Sequence, residues 1–286
     1  MRYDDLRESS NIEDRRGMSG VARGGIGIGA AIVLTLLGWA TGIDPSVLLG
    51  EAERVTGGGQ TYQSQQGRQG APTDQIGNFV ARVLGETEDV WTEILPAQAG
   101  RQYRKPVLVL YSGITSSGCG TAQSAMGPFY CPVDRKLYLD ISFFQDMRSK
   151  LGGGGTFAYA YVIAHEVAHH IQNLTGLLPK VQDAERRSDP ARANALSVKT
   201  ELMADCLAGV WAHHMNKRHA NIDENDLRQA VSTASAIGDD RLQKASRGYA
   251  VPDSFTHGSS AQRVRWLSTG LRAGTVQACD TFAKES

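Results

Sequence analysis

The sequence has little of what several protein classes require. Thirty basic residues balance thirty acidic ones with no concentrated basic stripe, which argues against a nucleic-acid partner. No CxxC pair occurs among Cys119, Cys131, Cys206 and Cys279, so a cysteine-built zinc module is not expected. No internal repeat is visible. Histidine is scarce, seven in 286 residues, and three of the seven fall within six positions.

Those three lie in Thr156-Phe-Ala-Tyr-Ala-Tyr-Val-Ile-Ala-His-Glu-Val-Ala-His-His-Ile-Gln-Asn-Leu174, around which the chain is organised. The stretch lacks proline and is rich in alanine. A four-glycine run precedes it and Gly176 follows, so the spacing predicts one helix. Within it, His165-Glu166-Val167-Ala168-His169 is an HExxH pattern. Two His four apart share a helix face and can reach one zinc ion. Glu166 stands where a carboxylate can take a proton from zinc-bound water. His170 points elsewhere on the helix and is not expected to be a ligand.

A catalytic zinc held by two His needs a third protein ligand and an open position. Ser188-Asp189-Pro190 reads as the start of a second long helix, running to about Lys217. Glu201 is its sole Glu and the best third ligand. Asp205, one turn on, is placed to accept the free N–H of a ligating His and hold its tautomer. His213, His214 and His219 near the end of this helix suit its dipole. His257 precedes a capping Ser and a further helix. Its placement suits a donor to the oxyanion of the tetrahedral intermediate, or equally a structural role in its loop. Arg263 and Arg265 are candidates to organise that loop or to bind substrate.

The first 24 residues are polar. Residues 24 to 43 form an uncharged run of about twenty, long enough to span a bilayer as a helix. Five arginines precede the run, and the next basic residue is Arg54. The bias predicts a cytoplasmic N-terminus and an exported remainder, anchored by one uncleaved span at the bacterial inner membrane. The expected organisation is therefore a segment at 1–24, a transmembrane helix at 25–43, a Gly/Gln-rich tether at 44–75 and a domain at 76–286.

Within that domain, Asp74 caps an expected helix from Gln75 to Leu84, and a further helical stretch from Thr87 to Leu95 can continue it after Gly85. Residues 106 to 111 read as a strand. Phe129–Cys131 and Lys136–Ile141 read as a hairpin whose edge could pair with an extended peptide or simply cover the core. Helices are also expected from about 223 to 237, from Asp239, and after the capping Ser near 259. In an oxidising compartment four cysteines suit two disulfides. Three connectivities are open, with Cys119–Cys131 and Cys206–Cys279 favoured.

HExxH, Glu201-Leu-Met-Ala-Asp205, Gly118-Cys-Gly, Gly127-Pro-Phe-Tyr-Cys-Pro-Val-Asp134, Tyr138-Leu-Asp140 and the segment from Pro252 to Trp266 together resemble the bacterial putative neutral zinc metallopeptidases. The resemblance runs from about residue 76 to the C-terminus and includes the N-terminal anchor. It implies an α+β, mainly helical, zincin-like domain with a small antiparallel sheet. It also implies a gluzincin-type set of His165, His169 and Glu201, with Asp205 behind them. The expected activity is zinc-dependent hydrolysis of peptide bonds with Glu166 as general base and His257 as oxyanion donor. The other reading is a membrane-tethered scaffold with a structural or latent zinc.

Overall fold

The computed structural model describes residues 1–17, 67–149 and 154–283. In chain order, β1 (Ile12–Asp14) and β2 (Arg68–Gln69) precede a long helix, α1 (Gln75–Ala99). Five strands follow: β3 (Val107–Tyr111), β4 (Ile114–Ser117), β5 (Gly120–Gln123), β6 (Phe129–Cys131) and β7 (Lys136–Asp140). The rest is helical: α2 (Ser142–Ser149), α3 (Thr156–Leu174), α4 (Leu177–Arg186), α5 (Pro190–His219), α6 (Glu224–Ala236), α7 (Asp239–Arg247) and α8 (Ser260–Ala273). The class is α+β and mainly helical.

The sheet departs from expectation. Its order is β2-β1-β3-β7-β6, and β1, β3 and β7 run parallel, with antiparallel strands only at the two edges. The β6–β7 hairpin is as the alternation suggested, pairing Phe129 with Tyr138 and Cys131 with Lys136. What the pattern did not show is β1. Its three residues include two acids, yet all are buried. Glu13 accepts from Arg15 Nε and Lys136 Nζ at 2.8 Å each and from the Gly67 N–H at 3.2 Å. Burial alone would raise its pKa, but these bonds hold the carboxyl down at about 2.

The domain boundary expected at residue 76 is therefore corrected. Residues 1–17 belong to the same compact unit as the domain. The arm crosses α1 where Gly85 allows it: a Cβ there would stand 2.2 Å from the Arg7 carbonyl oxygen. The two helical stretches expected on either side of Gly85 are one continuous helix, and the glycine admits a second backbone. Glu88, on the next turn and fully buried, accepts from Ser9 Oγ, Asn11 Nδ2 and Arg7 Nη2 at 2.6, 2.7 and 2.8 Å. Residues 67–75, expected to close the tether, form β2 and the Asp74 cap of α1.

The span expected at 25–43 and the tether up to residue 66 lie outside the described residues. Among the described residues no helix is long and apolar enough to cross a membrane. The expected sidedness is nonetheless incompatible with the sheet. A single crossing between residues 17 and 67 would put β1 and β3 on opposite faces of a bilayer, whereas they pair along Ile12–Asp14 and Leu108–Leu110. The arginine bias misled because most of it serves the fold. Arg7 pairs with Glu88 and Asp89, Arg15 with Glu13, and Arg16 with Asp14 and Asp74.

The helical layer carries the site. Asp189 caps α5 by accepting from Arg192 N, with Pro190 in the first turn. Helices α5 and α8 lie close, because Gly209 and Gly270 carry no Cβ. One on Gly270 would lie 1.8 Å from the Cys206 carbonyl oxygen, and one on Gly209 2.3 Å from that of Leu267. Cys206 and Cys279 are disulfide-bonded, which ties the C-terminal turn to α5. Cys119 and Cys131 form the other bridge, joining the β4–β5 turn to β6.

If 1–17 and 67–283 share one unit, single cysteines placed in a cysteine-labelling assay at exposed Glu8 and exposed Lys244 must be modified from the same side of sealed membrane vesicles. Labelling from opposite sides would contradict the β1–β3 pairing.

Candidate metal centre

Helices α3 and α5 each carry two reactive side chains at a spacing of four, and their packing sets the pairs face to face. His165 Nε2 lies 3.1 Å from one Glu201 carboxylate oxygen and His169 Nε2 3.4 Å from the other. The candidate ligand atoms of His165, His169 and Glu201 all lie within 4.8 Å of one another. Donors bonded to one tetrahedral zinc stand about 3.3 Å apart, so the spacing fits that ion. Two imidazole nitrogens and a carboxylate are also a zinc-type donor set. Among the described residues no fourth His, Cys or carboxylate joins the group.

Each imidazole is fixed from behind. His165 Nδ1 is 2.9 Å from Asp205 Oδ1, and His169 Nδ1 is 2.9 Å from Gln172 Oε1. With Nδ1–H donating in both rings, both Nε2 atoms are left as ligands. Gln172 in turn donates to the Thr200 carbonyl at 2.7 Å, linking α3 to the turn of α5 that carries Glu201. Asp205 has no exposed surface. Its oxygens accept from Arg263 Nε and Nη2 at 2.9 Å each and from the Tyr161 hydroxyl at 2.5 Å. Burial opposes its ionisation, yet Arg263 and His165 bring its pKa down to about 2.

The charges record how strongly this cluster favours a cation. Burial works against protonating His165, but hydrogen bonds to Asp205 and Glu201 push its pKa up to about 10. Burial likewise opposes charge on Glu201, while His169 and His165 hold its carboxyl well below the usual range. A divalent ion would take over the role these protons play, at the cost of releasing them. Glu166 is different: burial raises its pKa, and the two neighbouring His only partly offset that. A carboxyl with a raised pKa is suited to general-base work near neutral pH.

His165, Glu166, His169 and Glu201 open onto one cleft of about 530 Å³, lined by β6 and the residues before it and by α4 and α5. His257 also lines it. The loop holding His257 is built on Asp239, whose Oδ2 accepts from the backbone N–H of Thr256, His257 and Gly258 at 2.8, 2.6 and 2.9 Å. Asp239 Oδ1 is 3.5 Å from His257 Nδ1, and Thr256 Oγ1 is 2.9 Å from the same nitrogen. Burial disfavours the charged ring, but Asp239 and Glu201 raise its pKa overall.

Of the residues singled out from sequence, His165, His169, Glu201, Asp205, Glu166 and His257 are brought to this one region. Arg263 belongs to it too, but bound to Asp205 rather than free for substrate. His170 faces away, with Nε2 2.6 Å from the Arg104 carbonyl and its pKa lowered by burial to about 4. His213 and His214 bond to the carbonyls of Leu271 and Gly274, and His219 lies 3.0 Å from Glu86. Gln172 and Asp239 were not found by sequence reasoning. Gln172 stands three residues after His169, a spacing that could have marked it; Asp239 carried no signal beyond an acidic helix start.

An HExxH helix facing a carboxylate on the following long helix defines the class: a chain equipped for a three-ligand metal centre in an α+β domain. The chain belongs to the family described as putative neutral zinc metallopeptidase, whose model matches residues 1–282. It is 44% identical over 294 residues to the uncharacterized protein YpfJ of Escherichia coli K12, covering 99% of both chains. It is 37% identical over 258 residues to the uncharacterized protein Rv2575 of Mycobacterium tuberculosis H37Rv, covering 85% of this chain and 84% of the relative. No solved structure matches it significantly.

Replacing Arg263 with Met leaves Asp205 buried without its guanidinium partner. The expected loss is about 3–5 kcal/mol of stability, read by urea unfolding of metal-free protein. A loss below about 1 kcal/mol would show that Asp205 is held by other means.

Proposed function

We propose that this protein is a zinc-dependent metallopeptidase that hydrolyses peptide bonds. The observation carrying the proposal is the convergence of His165, His169 and Glu201 at zinc-ligand spacing with Glu166 lining the same cleft. His165 and His169 would hold the ion through Nε2 and Glu201 through its carboxylate. Zinc, when bound, supplies Lewis acidity that makes water a nucleophile near neutral pH and polarises the scissile carbonyl.

The chain's own residues account for the remaining steps. Glu166 accepts the proton of the attacking water, and its raised pKa lets it return that proton to the leaving amine. His257 donates from Nε2–H to the developing oxyanion, while Asp239 and Thr256 engage Nδ1. Arg263 keeps Asp205 ionised, which keeps His165 in the tautomer that presents Nε2. β6 is the outermost strand of its sheet, and Phe129 and Tyr130 line the cleft. An extended peptide can therefore add beside it as a further strand.

A purely structural zinc has no use for an acid such as Glu166 beside it, and structural sites are closed by a fourth protein ligand. The two disulfides favour a compartment outside the cytoplasm. The proposal includes membrane association through the uncharged run at 25–43, with the amino-terminal arm on the same side as the domain.

Glu166→Gln is expected to retain metal and fold while peptidase activity on a denatured protein substrate falls at least about a hundredfold. Full activity in that variant would remove Glu166 from the mechanism.

A further inference from the structure

The cleft holds one charge that the reaction does not use. On α4, Gln182 and Glu185 face the cleft opposite Phe129 and Tyr130. The Glu185 side chain is half-buried and, among the described residues, makes no hydrogen bond or ion pair. Asp183 takes both Arg186 and Arg187, so neither guanidinium bonds to Glu185.

Charge accounting around the cleft isolates the same residue. Arg263 is matched by Asp205 and His257 by Asp239. The two positive charges of a divalent ion on His165, His169 and Glu201 would be balanced by Glu201 and Glu166. Glu185 then remains as the one uncompensated charge among the described residues that line the cleft. It also stands in the last turn of α4, where the helix dipole disfavours a carboxylate. The position thus gives nothing to the helix, and burial together with the nearby Glu201 makes charge there less favourable still, which the adjacent Arg186 only partly offsets. A cation supplied from outside would relieve all of these costs.

We propose that Glu185 is a specificity-determining residue that accepts a positively charged group of the peptide substrate. The group is an ammonium or guanidinium, carried either by a Lys or Arg side chain or by a free peptide amino terminus. The proposal rests on the peptidase reading for the word substrate, but its central contact is a binding event and can be measured without turnover.

The test uses zinc-loaded full-length protein carrying Glu166→Gln, which binds without cutting, and fluorescently labelled peptides of one apolar sequence. The peptides contain Lys or norleucine at each position in turn, with the amino terminus free or acetylated. A Lys-containing or free-amine peptide is expected to bind roughly threefold to tenfold tighter than its neutral counterpart. Adding Glu185→Gln should abolish that difference while leaving affinity for the neutral peptide unchanged, and Glu185→Lys should reverse it. Loss of preference on acetylation alone identifies the amino terminus as the cation; loss only with norleucine identifies the side chain. Equal binding of charged and neutral peptides, a preference that survives Glu185→Gln, or no binding of any peptide would overturn the proposal. Parallel assays with native Glu166 separate the two readings. Selective binding without cleavage sinks the peptidase and spares Glu185, whereas cleavage without charge preference does the opposite.

Discussion

The centre depends on one buried carboxylate. Asp205 has no exposed surface and takes hydrogen bonds from His165, Tyr161 and Arg263, which come from two further helices. An ionised group in such a position is tolerated only when every oxygen is matched. The matching fixes the geometry of the whole site. His165 cannot turn without freeing Asp205, and Arg263 cannot leave without stranding its charge. Glu201, one turn before Asp205, is thereby aimed at both imidazoles. The close approach of α5 and α8 at Gly209 and Gly270 lets Arg263 reach this point. The Cys206–Cys279 bridge begins on the residue next to Asp205 and holds the same helix from its other side.

A second set of buried ions fastens the amino-terminal arm. Glu13 and Glu88 each bind groups from distant parts of the chain, and β1 completes the sheet between β2 and β3. The sheet in turn supports β6, which forms one wall of the cleft. The arm is thus a structural part of the unit that carries the metal centre, although about fifty residues separate it from the next strand. Arg7, Arg15 and Arg16 are committed to ion pairs within the fold, so the number of arginines says little about membrane orientation.

How legible this was depended on whether a feature has local periodicity. HExxH and the pair Glu201 and Asp205 follow the helical repeat, so spacing alone assigns four side chains to facing helix surfaces. The Asp189-Pro190 start and the β6–β7 hairpin were readable for the same reason, since local chemistry determines them. β1 was not, because three residues with one apolar side chain carry no strand signal. That the helix runs on past Gly85 was legible, but the reason for the glycine lies in the Arg7 backbone, dozens of residues away. The partnership of Arg263 with Asp205, and of Asp239 with the His257 loop, comes only from tertiary packing. The sheet's parallel centre joins β3 to β7 as well as to β1, pairings between separated strands that no local pattern specifies.

The central claim is that His165, His169 and Glu201 form one zinc site. Its most direct test is the metal content of the purified protein, measured side by side for wild type and Glu201→Ala by inductively coupled plasma mass spectrometry. Near-equimolar zinc in the wild type and a large loss in the variant is the predicted result. Equal zinc in both would move the third ligand elsewhere, and a well-folded wild type unable to take up zinc would contradict the account.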